Sequence, residues 1–262
     1  MNFNLKNFLK SLTSFCLFLS FINGHAQSQK RDIYELKIYH LENHQQEEQI
    51  DSFLKSAYIP ALHRTGVKQV GVFKPVKGDS LSGKRVYVLT PYKSIENLIK
   101  TPQTLKKDKD YLSKGEDYIN AAHNNPPYES IETIVLQAFE GMPQFRENDL
   151  GKAPERIYEL RSYESATEKL HHNKVEMFNN GEIDIFEDLK FNPIFFAEVV
   201  AGSNMPNLMY MTSFKDKASR DEHWKAFSED PAWKGMASDE QYQNNVSHID
   251  IFFLNPTSYS EL

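Results

Sequence analysis

The sequence predicts an α+β protein of two tandem ferredoxin-like modules whose sheets pack face to face as a pseudo-dimeric α/β barrel. The first observation is a repeat, because the strand-like segment 33–39 (IYELKIY) returns 124 residues later at 157–163 (IYELRSY). The second is that each copy opens a series of elements in the order β-α-β-β-α-β. Repetition of one such unit over about half of a chain indicates a duplicated domain.

The first module begins with a strand whose residues alternate between two faces, as expected of a sheet covered on one side. The apolar residues that follow recur at helical spacing up to Gly66, where a helix C-cap belongs. The remaining segments are a strand pair around a turn, a polar helical stretch and a strand rich in β-branched residues. The predicted ranges are strand 31–39, helix 50–64, strands 67–73 and 85–90, helical stretch 94–122 and strand 131–139.

The second module repeats this order after a polar linker bracketed by Met142-Pro143 and Ala153-Pro154. Its predicted ranges are strand 156–163, helical segment 166–190, strands 194–201 and 207–214, helices 217–228 and 231–244, and strand 247–254. The predicted organisation is a signal peptide at 1–26, a first module at 31–140, a linker at 141–154 and a second module at 155–256.

A ferredoxin-like sheet covers one face with its two helices and needs a partner for the other face. Two modules in one chain satisfy this need by packing their bare faces together. The alternative is that each module pairs with its twin in a second chain, which also leaves homo-oligomerisation open. The tandem arrangement favours pairing within the chain.

The N-terminus has the pattern of a cleaved signal peptide. Lys6 and Lys10 precede an apolar run, and Gly24-His25-Ala26 supplies small residues for a signal peptidase. The run is too short for a stable membrane anchor. We therefore expect an exported protein, periplasmic or secreted, with no stable membrane anchor after cleavage.

Charge and cysteine content exclude several classes of function. Removing residues 1–26 takes away two of the 30 basic residues, none of the 36 acidic residues and the single cysteine, Cys16. The mature chain then carries 28 basic and 36 acidic residues, a formal charge of −8, which argues against a nucleic-acid partner or an anionic membrane surface. Without cysteine it has no disulfides, thiolate nucleophile or cysteine-ligated metal.

Several segments of both halves are similar to those of one known family. They are Tyr158–Tyr163, His172–Phe178, Gly181–Ile183, Phe191–Pro193, Met205–Met211, Arg220–Phe227 and Asp230–Trp233 in the second half, with Ile59–Leu62 and Ala138–Pro143 in the first. In these segments the chain resembles the NIPSNAP family, and specifically its exported bacterial members with tandem modules. The resemblance covers nearly the whole mature chain and implies the dimeric α/β-barrel fold. It implies no reaction, because the family has no settled catalytic residue set.

The opening strands provide the first candidate pocket residues. Tyr34 and Leu36 belong to the more apolar set, which we expect to face the helices, so the charged set should face the space between the sheets. There the charged residues either form structural ion pairs that join the two sheets or line a pocket, with Arg161 as a bidentate clamp for an anion. With two residues of the last strand, the candidates are Glu35, Lys37, Tyr39, Glu159, Arg161, Tyr163, His248 and Asp250.

The histidines are weaker candidates. His248 and Asp250 share one face of the last strand with Phe252, so His248 could act as a general base oriented by a carboxylate if that face points inward. His172 and Glu176 have the spacing of two metal ligands on a helix, but no third ligand can be located, and an exposed helix face explains them better. We predict no metal site and no cofactor.

These observations favour an exported protein that binds a small molecule or a partner through the barrel cavity between the sheets. The alternatives are a cofactor-free barrel enzyme of monooxygenase or isomerase type, and a purely structural oligomerising module. The sequence contains no Gly-x-Ser-x-Gly elbow, phosphate-binding loop, His-Glu-x-x-His motif or dinucleotide fingerprint. Whether the protein is an enzyme is left open.

Overall fold

The computed structural model describes residues 30–147, 150–151 and 155–262. The predicted signal peptide lies outside these residues. Within them, no helix is both long enough and apolar enough to cross a membrane.

The first module has the predicted β-α-β-β-α-β order. Its first helix passes through a π turn, a stretch with i→i+5 hydrogen bonds, before it continues as a second α-helix. The elements are β1 (Ile33–His40), α1 (His44–Phe53), the π turn (Leu54–Tyr58), α2 (Ile59–Arg64), β2 (Gly71–Pro75), β3 (Arg85–Tyr92), α3 (Ile95–Leu105), α4 (Lys109–Lys114), α5 (Glu116–Ile119) and β4 (Ser130–Ala138).

The second module repeats this order, and its first helix is interrupted 124 residues after the π turn of the first module, at the same spacing as the opening strands. The elements are β5 (Ile157–Glu164), α6 (Glu168–Met177), a kinked segment (Phe178–Glu182), α7 (Ile183–Asp188), β6 (Asn192–Ala201), β7 (Asn207–Phe214), α8 (Lys217–Glu229), α9 (Pro231–Ser238), a 3₁₀ turn (Glu240–Tyr242) and β8 (His248–Pro256). The interruption recurs at the same position but with a different backbone, because Asn180 (φ −101°, ψ 20°) and Gly181 (φ 144°) leave the helical region.

The strands in the described part of the chain close into one barrel in the order β1-β3-β2-β8-β5-β7-β6-β4. Two antiparallel seams join the modules. One is β2 with β8, where Phe73 pairs with Pro256, and the other is β4 with β6, where Ala138 pairs with Ala197. Sheet pairing within one chain is thus confirmed, and closure leaves no free sheet edge.

The barrel interior is filled by the apolar face of each opening strand. Tyr34 and Leu36 from β1 meet Tyr158 and Leu160 from β5 in one buried cluster. The side chain of Leu262, beyond β8, belongs to the same cluster and lies so close to Gly71 that a Cβ atom there would stand 2.7 Å from Leu262 Cδ1.

The predicted orientation of the opening strands is therefore wrong. The tyrosine–leucine face points into the barrel, whereas Glu35, Lys37, Glu159 and Arg161 point towards the helices. The physical reason is that a closed barrel admits no water, so its interior takes the most apolar face of every strand. The helix-covered side is open at its edges and can hold charged groups that are paired.

Candidate functional site

The candidate site is a cavity of about 400 Å³ on the helix-covered side of the second module. It lies between β5, β7 and the start of β8 on one side and α6, α8 and α9 on the other, and is open to solvent at one end. Its volume lies in the range of small-molecule pockets. The lining residues that matter for its chemistry are Arg161, Tyr163, Lys174, Glu182, Trp224 and Trp233.

Glu159 lies beneath this cavity and holds three neighbouring side chains in place. Its side chain is fully buried and accepts hydrogen bonds from Arg161 Nε (2.5 Å), from Arg220 Nε (2.6 Å) and Nη2 (2.9 Å), and from Trp224 Nε1 (2.9 Å). Burial opposes ionisation, but the hydrogen bonds from Arg220 and the charge of Arg161 outweigh it, so the pKa of Glu159 lies below its usual value. A carboxylate with these partners fixes two arginines and one indole in place.

Arg161 connects Glu159 to the cavity. Its guanidinium carbon lies 3.6 Å from the centroid of the Trp224 ring, a stacked cation–π contact. Nη1 donates to the Tyr163 hydroxyl (3.0 Å), which in turn lies 2.8 Å from the hydroxyl of Tyr210. Arg161 is thus held on three sides and lines the pocket with the rest of its guanidinium group.

Lys174 and Glu182 form a buried ion pair in the lining of the same cavity, with 2.6 Å between Nζ and Oε2. In a regular α-helix with about 3.6 residues per turn, residues seven apart share a face. The kink at Asn180 and Gly181 interrupts that spacing, and across it these two residues, eight apart, lie in contact. Burial raises the pKa of Glu182 although the Lys174 charge opposes this effect. Lys174 Nζ also lies 4.7 Å from the centre of the Phe178 ring.

The first module has different side chains at the positions equivalent to the pocket residues of the second. At the 124-residue offset, Lys174 corresponds to Ile50 and Glu182 to Tyr58, and strand register equates Tyr210 with Val88. There the Lys37 ammonium donates to the Tyr58 hydroxyl at 2.8 Å. Helices α4 and α5 close over this region, with Phe53 stacked on Tyr118 at 3.6 Å between ring centroids. The second module therefore carries a buried ion pair at positions where the first has Ile50 and Tyr58.

The predicted site residues lie in three places. Glu35, Lys37 and Tyr39 lie beneath the helices of the first module, where Lys37 is 3.3 Å from Glu35 and Tyr39 is buried. The equivalent residues Glu159, Arg161 and Tyr163 surround the pocket described above. The remaining two are His248 and Asp250, at one end of the barrel.

His248 lies on the same face of β8 as Phe252, which packs against the barrel core, but His248 itself is exposed. Its Nε2 atom is 3.1 Å from Asp250 Oδ1. With Glu164 on the neighbouring strand, each of these residues offers a ligand atom, and the three atoms lie within 4.8 Å of one another. This is the group among the described residues that could hold a metal ion. His172 and Glu176 are exposed on α6, as expected.

Sequence reasoning missed Lys174, Glu182, Tyr210 and Arg220. Lys174, Glu182, Tyr210 and Arg220 lay within segments used only for the family resemblance, as did Trp224 and Trp233. The available signal was the internal alignment: two charged residues stand where the first copy has Ile50 and Tyr58. Burying charged residues is costly. When one copy of a fold has charged residues at positions where the other copy does not, the packing of the fold does not explain those charges.

Residues 158–261 match the NIPSNAP family model. The chain matches no curated protein sequence. Among solved structures it is similar to a "putative monooxygenase" from Lactobacillus acidophilus NCFM, with 10% identity over 86% of this chain and 94% of that chain and a TM-score of 0.57. A protein of the same description from Fusobacterium nucleatum has 10% identity over 87% and 93%, with a TM-score of 0.56. An anthrone oxidase-like protein has 10% identity over 88% and 93%, with a TM-score of 0.54. At this identity the similarity shows the fold alone.

Proposed function

We propose that the second half of this chain, where residues 158–261 match the NIPSNAP family model, binds a small organic molecule in the pocket between its helices and its sheet. The observation that carries the proposal is the buried Lys174–Glu182 pair. The first module builds the equivalent pair of helices with Ile50 and Tyr58 at these positions, so the fold does not require charges there. Burying two charges is costly, and an ion pair often stabilises a protein no more than apolar residues would.

The surroundings of the pair support a binding role. Lys174 and Glu182 line a cavity of about 400 Å³ together with the arginine–tyrosine cluster on β5 and β7. Aromatic side chains from α8 and α9 form its walls. A mainly apolar pocket with a few converging polar groups is typical of small-molecule sites.

The two tryptophans of the chain provide the test, because both line the pocket and report directly on its occupation. We expect members of a library of small organic acids, amides and amines to change tryptophan fluorescence and to raise the melting temperature. The matched variant Lys174→Ile/Glu182→Tyr carries the residues of the first module and should fold but lose both responses. A library without any response in the wild type, or an undiminished response in the variant, would contradict a site at this pocket.

A second candidate function is a cofactor-free enzyme, and the raised pKa of Glu182 in the pocket favours it. A buried carboxyl group with a raised pKa that lines a cavity is a candidate for proton transfer to or from a bound molecule. Mass spectrometry of the bound library compounds after incubation in air would separate the two functions. Recovery of unaltered compounds supports a binding protein, whereas chemical change that is lost in Glu182→Gln supports an enzyme.

We also propose that the chain is exported and cleaved after Ala26, which the charged start and apolar run of the N-terminus support. Expression in a Gram-negative host should place a protein beginning at Gln27 in the periplasm, as read by N-terminal sequencing. Leu17→Asp, which interrupts the apolar run, should keep the uncut chain in the cytoplasm. An uncut wild-type chain would refute the proposal.

A further inference from the structure

Arg161, the Tyr163–Tyr210 pair and Lys174 bring hydrogen-bond donors to the pocket of the second module. We infer that its ligand is an organic anion whose carboxylate, or an equivalent acceptor group, binds to Arg161, the Tyr163–Tyr210 pair and Lys174. This inference rests on the proposed binding function and adds the chemical class of the ligand.

Arg161 supplies the first free donors. A guanidinium group has five N–H groups, of which one binds Glu159 and one binds Tyr163. The other three have no partner among the described residues, although Arg161 lines the cavity. Because Glu159 and the Trp224 ring already fix the plane of the guanidinium group, it presents a preorganised pair of donors, the geometry that binds carboxylates bidentately.

The tyrosine pair supplies the next donor. Tyr163 and Tyr210 have one hydroxyl proton each, and a single proton suffices for the 2.8 Å hydrogen bond between them. Arg161 Nη1 donates to the Tyr163 oxygen and therefore uses no hydroxyl proton. Whichever tyrosine donates to the other, one O–H group in the cluster is left for an acceptor in the cavity.

The charged residues at the pocket also favour an anionic ligand. The connected ion pairs at the pocket comprise four basic groups and three carboxylates: Arg161, Arg220, Lys174 and Lys217 with Glu159, Glu182 and Asp221. They therefore have an excess of one positive charge even when all three carboxyls are ionised. One ammonium proton of Lys174 binds Glu182 and another points at the Met177 sulfur, so a third is available. An anion neutralises the excess and accepts from the free donors.

The rest of the pocket defines the body of the ligand. The rings of Phe227 and Trp233 lie 4.5 Å apart between centroids, and Tyr242 and Val246 complete this wall. Such a wall favours an apolar or aromatic group. The expected ligand is consequently amphipathic, with an anionic head at Arg161 and an apolar body against α8 and α9.

Three probes of similar size test the inference: 3-phenylpropionate, its neutral amide 3-phenylpropionamide, and the cation 3-phenylpropylammonium. Tryptophan fluorescence excited at 295 nm, which these probes do not absorb, measures their dissociation constants with the full-length mature protein. We expect the acid to bind at least tenfold more tightly than the amide, and the cation to bind more weakly than both.

Arg161→Met should weaken binding of the acid at least tenfold and leave the amide unchanged. Lys37→Met, at the equivalent position of the first module, should change neither. If circular dichroism shows that Arg161→Met does not fold, Tyr210→Phe serves instead, with the same selective loss for the acid. Equal affinity for acid and amide would overturn the anion assignment and leave the binding function standing. No fluorescence response to any probe would overturn both.

Discussion

Arg220 on α8 reaches across to Glu159 on β5 and donates to both of its carboxylate oxygens, from Nε at 2.6 Å and Nη2 at 2.9 Å. This contact ties the helix layer of the second module to its opening strand. It also fixes the carboxylate that orients Arg161 at the pocket. The stability of the module and the geometry of the pocket therefore depend on the same buried group.

Arg220→Met removes both hydrogen bonds and should lower the free energy of unfolding by about 2–3 kcal/mol, since hydrogen bonds to charged groups contribute about 1.5–3 kcal/mol. Arg161 and Trp224 still hold Glu159, which limits the loss. Urea denaturation gives the value. The control Asp221→Asn, at the exposed partner of Arg220, should stay within about 0.5 kcal/mol of the wild type. Equal effects of the two variants would contradict this role of the Glu159 contact.

The lowered pKa of Glu159 predicts a pH dependence. A carboxyl whose pKa is lower in the folded than in the unfolded state stabilises the protein above its usual pKa, and this contribution is lost as the pH falls through the folded value. Glu159→Gln should therefore cost about 3–5 kcal/mol at pH 7, as for a broken buried ion pair. The difference from the wild type should shrink as the pH falls below 4.5. Comparing the two proteins cancels the other titrating groups. A difference independent of pH would show that Glu159 is not the group responsible.

The order of elements was predictable because alternation and helical spacing are local properties of the sequence. The orientation of β1 and β5 was not, because both faces of these strands are buried and only closure of the barrel decides between them. Tyr34 and Leu36 suit a helix-covered face as well as a barrel interior. The Lys174–Glu182 pair depends on the kink at Asn180 and Gly181. An Asn-Gly pair indicates a break in a helix, but it does not indicate which side chains the break brings together.

The corrected orientation can be tested with Leu36, which is buried in the barrel among residues of both modules. Leu36→Ala should lower the free energy of unfolding by about 2–5 kcal/mol, because it leaves a cavity in a closed core. Ile99→Ala provides the control, since Ile99 is 63% exposed on α3, and it should cost less than about 1 kcal/mol. Because Leu36 contacts both modules, denaturation should remain a single transition. A loss for Leu36→Ala no larger than that of the control would contradict its place in the barrel core.

The Lys174–Glu182 pair predicts strong coupling between two substitutions. Glu182→Tyr alone leaves the Lys174 ammonium buried without its counter-ion and should cost about 3–5 kcal/mol. Lys174→Ile alone should cost less, because the pKa of Glu182 is already raised and the carboxyl can take up a proton. The double variant restores the pairing of Ile50 and Tyr58 in the first module and should be more stable than Glu182→Tyr. Urea denaturation of the four proteins measures the coupling free energy. Additive losses would mean that the two side chains stabilise the module separately. The fold would then need each of them, and the pair would not point to a binding site.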